Sequence, residues 1–180
     1  IPCSMIGTLG IGVPPAPEST SGTQVESLLA TGLTTPDPVL LQLSFHRFLA
    51  QGVKASAIEV SSIGIEEDRL AGTLVRTAIL TNFTQDHLDY HGTMQAYWQA
   101  KQSLFEWPGL VAAVVNLDDP KGQALCELLA DRSIQVWTVS MHSAQAHLYA
   151  RHVRTTAQGM SFDVVCGEQS LRVSSHCLGE

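Results

Sequence analysis

Short apolar runs and amphipathic stretches alternate along the first 146 residues. The runs are rich in β-branched residues and have the length of buried strands, whereas the stretches between them repeat apolar positions at helical spacing. The predicted strands are Met5–Val13, which runs into a glycine-rich turn, Ala55–Ser61, Val75–Leu80, Val111–Asn116 and Gln135–Val139; the predicted helices are Val39–Gly52, Gly92–Phe105 and Gly122–Ala130. This order predicts an α/β fold with a mostly parallel, doubly wound sheet flanked by helices.

The pattern changes after Ala146 to alternation of apolar and polar residues. Three such runs, joined by turns that contain glycine, predict antiparallel strands that form a small separate sheet. We therefore expect an α/β part over residues 1–146 and a small antiparallel β subdomain over residues 147–180. Near the start of the chain, Thr23–Leu29 is predicted as a short edge strand.

Composition narrows the class of protein. A formal net charge of −7, with ten Lys and Arg scattered along the chain, argues against a nucleic-acid-binding surface. No apolar run is long enough to span a membrane, and no signal peptide is recognisable. The four cysteines show neither paired metal-binding spacing nor a compact disulfide framework, which favours a reducing cytoplasm. Because the chain opens on Ile1, we expect it to be a piece of a longer protein.

The segment Thr81–Lys101, TNFTQDHLDYHGTMQAYWQAK, concentrates the candidate chemistry. Lys101 shares a helical stripe with the apolar or small residues Tyr97, Ala100, Leu104 and Phe105. It is either snorkelling at the helix edge or a desolvated amine available for chemistry. On one straight helix, His87 and Lys101 would lie roughly 21 Å apart, so we expect the chain to turn at Gly92.

Other residues have both a structural and a functional interpretation. Glu59 lies near the C-terminal end of a predicted strand, where it either binds Mg²⁺ or faces solvent at a sheet edge. Thr34 and Thr35 precede a helix and either cap it, as Asp37 would, or bind an anion.

Two further groups also remain open. Arg69 pairs with a ligand carboxylate or with Glu66. Four residues that could form the metal site of a hydrolase are Asp86, His87, Asp89 and His91, although Leu88 excludes the HExxH motif.

Five segments, in order and with matching spacing, resemble the central domain of the Mur ligases. They are LTTPDP, IEVSS, TNFTQDHLDYHG, AYWQAK and VVNLDDPKG. The likeness is strongest to the ligases that add the third amino acid, diaminopimelate or lysine, to UDP-N-acetylmuramoyl-L-alanyl-D-glutamate in peptidoglycan synthesis. It implies a bacterial, cytoplasmic, ATP-dependent ligase whose central domain resembles the P-loop NTPases.

The resemblance also implies roles for individual residues. Glu59, His87 and Lys101, the last as a carbamate, would bind two Mg²⁺ ions and be the catalytic residues. Thr34, Thr35, Ser61 and Arg69 would contact the UDP-muramoyl-dipeptide, and Asn116 and Asp119 would meet the nucleotide. The substrate carboxylate would attack the γ-phosphate of ATP, and the amine of the incoming amino acid would then displace phosphate from the acyl phosphate.

Departures from the family leave a second alternative open. Ile63 stands where the family has His, and Glu67 stands near its Gln. The chain contains no GxxxxGK[ST] phosphate loop and lacks the UDP-binding N-terminal and amino-acid-selecting C-terminal domains. We therefore expect the isolated chain to be inactive, and a non-catalytic binding domain derived from a ligase remains the alternative.

Overall fold

A computed structural model describes residues 1–14 and 28–176. The chain divides into two compact units that are not contiguous in sequence. The first unit contains Ile1–Thr73 and His87–Leu104, and the second contains Leu74–Asp86 and the residues from Phe105 onward. No helix among the described residues is long and apolar enough to cross a membrane.

A three-stranded sheet, in the order β2-β1-β3, forms the base of the first unit. β1 (Cys3–Gly7) and β2 (Gly10–Gly12) form an antiparallel hairpin, and β3 (Ala55–Ile58) pairs with β1 in parallel. The predicted strand and the glycine-rich turn after it are present, but the prediction did not include the return strand β2. The chain reverses at Thr8 and Leu9, Gly10 takes a φ of 126°, and β2 pairs back on β1. Most of the predicted strand Thr23–Leu29 lies outside the described residues, although Leu29 bridges to Ile11.

Within residues 1–14, 28–73 and 87–104, four helices complete the first unit. They are α1 (Pro38–Ala50), α2 (Ser62–Glu66), α3 (Leu88–His91) and α4 (Met94–Gln102), and a 3-10 turn (Ser103–Glu106) follows α4. Asp37 caps α1 by accepting hydrogen bonds from the backbone N–H groups of Val39 and Leu40, both at 3.0 Å. The core between α1 and the sheet contains Ile6, Ile11, Leu41, Phe48 and Val53.

The second unit contains a six-stranded sheet in the order β4-β5-β6-β7-β8-β9. Its elements are β4 (Thr77–Leu80), β5 (Ala112–Asn116), α5 (Pro120–Leu129), β6 (Gln135–Ser140), β7 (Leu148–Thr156), β8 (Gly159–Cys166) and β9 (Gln169–Ser175). The strands from β4 to β7 are parallel. The α/β class with a mostly parallel sheet is thus confirmed.

The three C-terminal strands are antiparallel to one another, as predicted, but they do not form a separate sheet. β7 joins β6 in parallel through the pairs Val139–Leu148 and Ser140–Tyr149. The alternating apolar and polar residues of β7–β9 could not indicate this junction. Only two residue pairs join β6 to β7, too few to produce a recognisable pattern in the sequence. The division into residues 1–146 and 147–180 stays a prediction about subdomains.

Helix α5 packs unusually closely on the end of β5. A Cβ atom added to Gly122 would lie 2.0 Å from the backbone oxygen of Asn116. The side chains of Ala113 and Val115 on β5 and of Leu125 and Leu129 on α5 are at most 1 % exposed. These contacts fix the loop between β5 and α5, which carries Asn116 and Asp119.

Candidate functional site

Glu59 lies one residue beyond β3, with an exposed carboxylate that the β1–β2 turn holds in place. Its Oε2 accepts hydrogen bonds from the backbone N–H (2.9 Å) and the hydroxyl (3.1 Å) of Thr8. A Cβ on Gly7 would lie 2.7 Å from the same oxygen, so the carboxylate fits over backbone that only glycine leaves open. Among the described residues Oε1 accepts no hydrogen bond. The edge-strand interpretation accounts for the exposure of Glu59, but not for this fixed orientation.

Thr34 extends the hydrogen bonding around Glu59. Its hydroxyl lies 2.9 Å from that of Thr8, and because the Thr8 hydroxyl donates to Glu59, it accepts from Thr34. Thr8 received no role from the sequence. The feature of the sequence that could have indicated such a role is the position of Thr8 in a tight turn directly after a buried strand.

Thr35 is fully buried and its hydroxyl bonds within the protein. It donates to the backbone oxygen of Glu59 (3.0 Å) and accepts from the backbone N–H of Ser61 (2.9 Å). Ser61 in turn caps α2 by accepting from the N–H of Gly64 at 2.9 Å. The structure therefore gives the Thr35 side chain a positioning role for Glu59 and Ser61, and neither threonine caps α1, because Asp37 does so.

Of the two partners that the sequence left open for Arg69, a ligand carboxylate and Glu66, the second is not used, because Arg69 pairs with Glu67 instead. Its Nε donates to Glu67 Oε2 at 2.9 Å, and its Nη2 donates to the same oxygen. Its Nη1 donates to the backbone oxygen of Thr35 at 2.9 Å. The guanidinium is thus anchored beside the segment that positions Glu59.

His91 is a buried imidazole that connects α3 with α2. Its side chain is 0 % exposed, its Nε2 lies 2.8 Å from Ser62 Oγ, and its Nδ1 lies 3.4 Å from Glu66 Oε1 without a hydrogen bond. The ring also stacks on Tyr97, with 5.2 Å between the centroids. An imidazole in this position is unable to reach a solvent-accessible metal ion.

The hydrolase alternative therefore loses one of its four ligands. Asp89 is exposed on α3, whereas His91 is turned into the protein interior. Within residues 1–14 and 28–176, no three His, Cys, Asp or Glu side chains are grouped closely enough to hold a metal ion. The proposed Asp86, His87, Asp89 and His91 cluster is thus not formed.

His87 and Lys101 both contact the ring of Tyr97. The His87 ring meets it edge-on, with 5.9 Å between the centroids, and Lys101 Nζ lies 5.2 Å from the Tyr97 centroid. Gly92, with a φ of 72°, ends α3 and allows the chain to turn into α4, which confirms the predicted turn. Lys101 is half-buried on the predicted stripe beside the buried Tyr97 and Ala100.

In the second unit, Asn116 and Asp119 hold the segment that follows β4. Asn116 Nδ2 donates to the backbone oxygen of Thr81 at 2.7 Å, and one oxygen of Asp119 accepts from the N–H of Phe83. The other oxygen of Asp119 caps α5 through the N–H of Lys121 at 2.8 Å. A nucleotide contact by either residue stays a prediction.

Asp118, between these two residues, has a perturbed carboxyl group. Burial is the largest single influence and raises its pKa, but the hydrogen bonds from the Ser140 hydroxyl and the Met141 N–H, together with His142, outweigh it and hold the pKa below its usual value. Its ionised carboxylate therefore joins the end of β5 to the end of β6. In α5, burial raises the pKa of the Cys126 thiol, which does not favour a reactive thiolate.

Comparison with known proteins gives consistent matches. Residues 3–180 match the family described as the Mur ligase middle domain. A UDP-N-acetylmuramoyl-L-alanyl-D-glutamate–2,6-diaminopimelate ligase of Acidovorax sp. (strain JS42) is 48 % identical over 98 % of this chain, and one of Janthinobacterium sp. (strain Marseille) is 42 % identical over 99 %. The chain spans 33 % and 35 % of the lengths of these relatives.

Solved structures agree. A structure of a UDP-N-acetylmuramoyl-L-alanyl-D-glutamate–2,6-diaminopimelate ligase matches with a TM-score of 0.82 and 32 % identity, covering 99 % of this chain and 34 % of the other. The apo form of L. casei FPGS matches with a TM-score of 0.65 over 96 % of this chain and 46 % of the other, at 14 % identity, which bears on the fold alone.

Proposed function

This chain belongs to the Mur ligase family, through its middle domain, and from that premise we propose that it is the central part of a diaminopimelate-adding ligase. The whole protein would join diaminopimelate to UDP-N-acetylmuramoyl-L-alanyl-D-glutamate at the expense of ATP. The observation that carries the proposal is 48 % identity to a ligase of that name over 98 % of this chain.

The reaction forms an amide in two steps. The terminal carboxylate of the UDP-muramoyl-dipeptide attacks the γ-phosphate of ATP and gives an acyl phosphate, and the amine of diaminopimelate then displaces phosphate. In such a reaction the protein contributes mainly position and charge. The hydrogen-bonded segment around Thr35, Ser61 and Arg69 supports this role, because it gives the candidate groups fixed orientations.

Two of the three proposed ligands suit Mg²⁺ by their chemistry. Glu59 offers a free carboxylate oxygen, and Lys101 would offer two more if it carried a carbamate; oxygen ligands are those that Mg²⁺ prefers. Glu59, His87 and Lys101 would hold the ions, which would neutralise the phosphate oxygens and align the reacting groups. Thr8 keeps the Glu59 carboxylate oriented, and the Tyr97 ring supports both His87 and Lys101.

The remaining assignments belong to the same proposal. Thr34, Ser61 and Arg69 would line the precursor site, Asn116 and Asp119 would lie near the ATP, and Thr35 would act through Glu59 and Ser61. The other parts of the full-length protein would supply the phosphate loop, the UDP site and the diaminopimelate site. The 180-residue chain alone would be inactive, and the full-length protein would act in the bacterial cytoplasm.

A lysine pair tests the proposal in the full-length protein. Lys101→Arg keeps a cation over Tyr97 but is unable to form a carbamate, so we expect the rate of ADP formation to fall by at least about 100-fold. Lys54→Arg alters an exposed lysine in the same unit and should leave the rate unchanged. The assay supplies the dipeptide precursor, Mg-ATP and diaminopimelate and identifies the tripeptide product by mass spectrometry.

Two results would contradict the proposal. Full activity of Lys101→Arg would remove the carbamate from the mechanism. A wild-type protein that binds the precursor without forming product would favour the alternative of a non-catalytic binding domain.

A further inference from the structure

Arg69 is the one cation among the three residues proposed to line the precursor site, and a carboxylate of the same chain already forms an ion pair with it. Glu67 Oε2 accepts hydrogen bonds from both Nε and Nη2 of Arg69. The third engaged group, Nη1, donates to the backbone oxygen of Thr35. Arginine has five N–H bonds, so a ligand would find two of them free.

The pair is partly shielded from water. The Arg69 side chain is 17 % exposed and that of Glu67 is 44 % exposed. A substrate carboxylate or phosphate that approaches the free edge of Arg69 therefore meets a cation whose charge Glu67 largely balances. It also meets the negative charge of Glu67 itself, at a distance too short for full screening by salt.

We propose that Glu67 lowers the affinity of this site for the anionic UDP-muramoyl-dipeptide by competing with it for Arg69. The inference rests on the proposed function, because that function makes the precursor the ligand. Weak precursor binding would keep the Michaelis constant high, so that the rate follows the precursor concentration.

The neighbouring acids do not share this position. Glu66 faces His91, with Oε1 3.4 Å from Nδ1, and forms no ion pair with Arg69. Asp68 is exposed in a turn, with a φ of 54°, and among the described residues its side chain has no ion-pair partner. Three consecutive carboxylates thus differ in their contacts, and only Glu67 bonds to the guanidinium.

The test is calorimetric titration of full-length protein with UDP-N-acetylmuramoyl-L-alanyl-D-glutamate. Glu67→Gln removes the charge but keeps an amide oxygen that can accept from Arg69. We expect the dissociation constant of the precursor to fall about fivefold, because a like charge near the ligand is lost. Binding should also weaken more steeply with added salt, since the net positive charge of the site has increased.

Asp68→Asn is the matched control. It removes an equal charge from the residue next to Glu67, and the Asp68 side chain forms no ion pair with the Arg69 guanidinium. It should change the dissociation constant by less than about twofold. Glu67→Ala removes the acceptor as well as the charge. If Glu67→Ala also binds the precursor more tightly than the wild type does, the dominant effect of Glu67 is competition for Arg69. Its role in positioning the Arg69 side chain is then the smaller effect.

Two outcomes would overturn the inference while leaving the proposed function intact. One is weaker or unchanged precursor binding by Glu67→Gln, which would make Glu67 a support for Arg69 or irrelevant to the ligand. The other is an equal gain in Asp68→Asn, which would make the effect one of general charge. A wild-type protein that binds no precursor would instead overturn the proposed function, and this inference with it.

Discussion

Asp118 shows how much one carboxylate contributes in the second unit. Its pKa is lowered in the folded chain, from an ordinary value of 3.8, so ionisation favours folding. This contribution is complete above the unfolded pKa and is lost as the pH falls through the lower folded pKa.

We therefore expect Asp118→Asn to lower the free energy of unfolding by about 1 kcal/mol at neutral pH, a modest value because the group is largely exposed. The difference from wild type should be smaller at about pH 3, because the contribution of ionisation declines once the pH is below the unfolded value of 3.8. Urea unfolding at the two pH values measures this. Asp131→Asn, at an exposed aspartate after α5, is the control, and a pH-independent difference for Asp118→Asn would contradict the explanation.

Single residues also show where sequence reasoning succeeds. Glu59 could be placed at the carboxyl end of a strand and Gly92 at a turn, because strand length and glycine are local signals. The burial of Thr35 and His91 could not be predicted. Both depend on partners 26 to 29 residues away in sequence, Ser61 and Ser62 respectively.

At the level of elements, caps and turns were predictable and sheet pairing was less so. The Asp37 cap of α1 and the Asp119 cap of α5 follow from residue types before a helix. The return strand β2 was not predicted, because it is only three residues long and two of them are glycine. The junction of β6 with β7 was missed because strand partners are set by tertiary packing.

The close packing of α5 on β5 predicts that Gly122→Ala destabilises the protein, although alanine has the higher helix propensity. Alanine favours a helix over glycine by about 1 kcal/mol, but the new Cβ of Gly122→Ala would meet backbone atoms of Asn116, which have little room to move. We expect a net loss of at least about 2 kcal/mol in the free energy of unfolding. Gln123→Ala, at the exposed next residue, should cause no loss, and a stabilised Gly122→Ala would show that the helix shifts freely.

At the level of the whole molecule, each of the two units is built from two separate stretches of the chain, and the stretches of the two units alternate in sequence. A fragment of residues 105–180 lacks β4, and therefore lacks the parallel partner of β5. A fragment of residues 1–73 lacks His91, the partner of Ser62. We expect neither fragment to unfold cooperatively in urea when monitored by circular dichroism, in contrast to the 180-residue chain. A cooperative transition in either fragment would show that its unit needs only one stretch of sequence.

The same alternation sets an order of events during synthesis. Residues 1–73 leave the ribosome before His87–Leu104, so the first unit waits for a later stretch before its helices are all present. Meanwhile Leu74–Asp86 has emerged without the strands it will join. The nascent chain therefore carries incomplete surfaces from both units at once, which is the stage at which a chaperone would find most to bind.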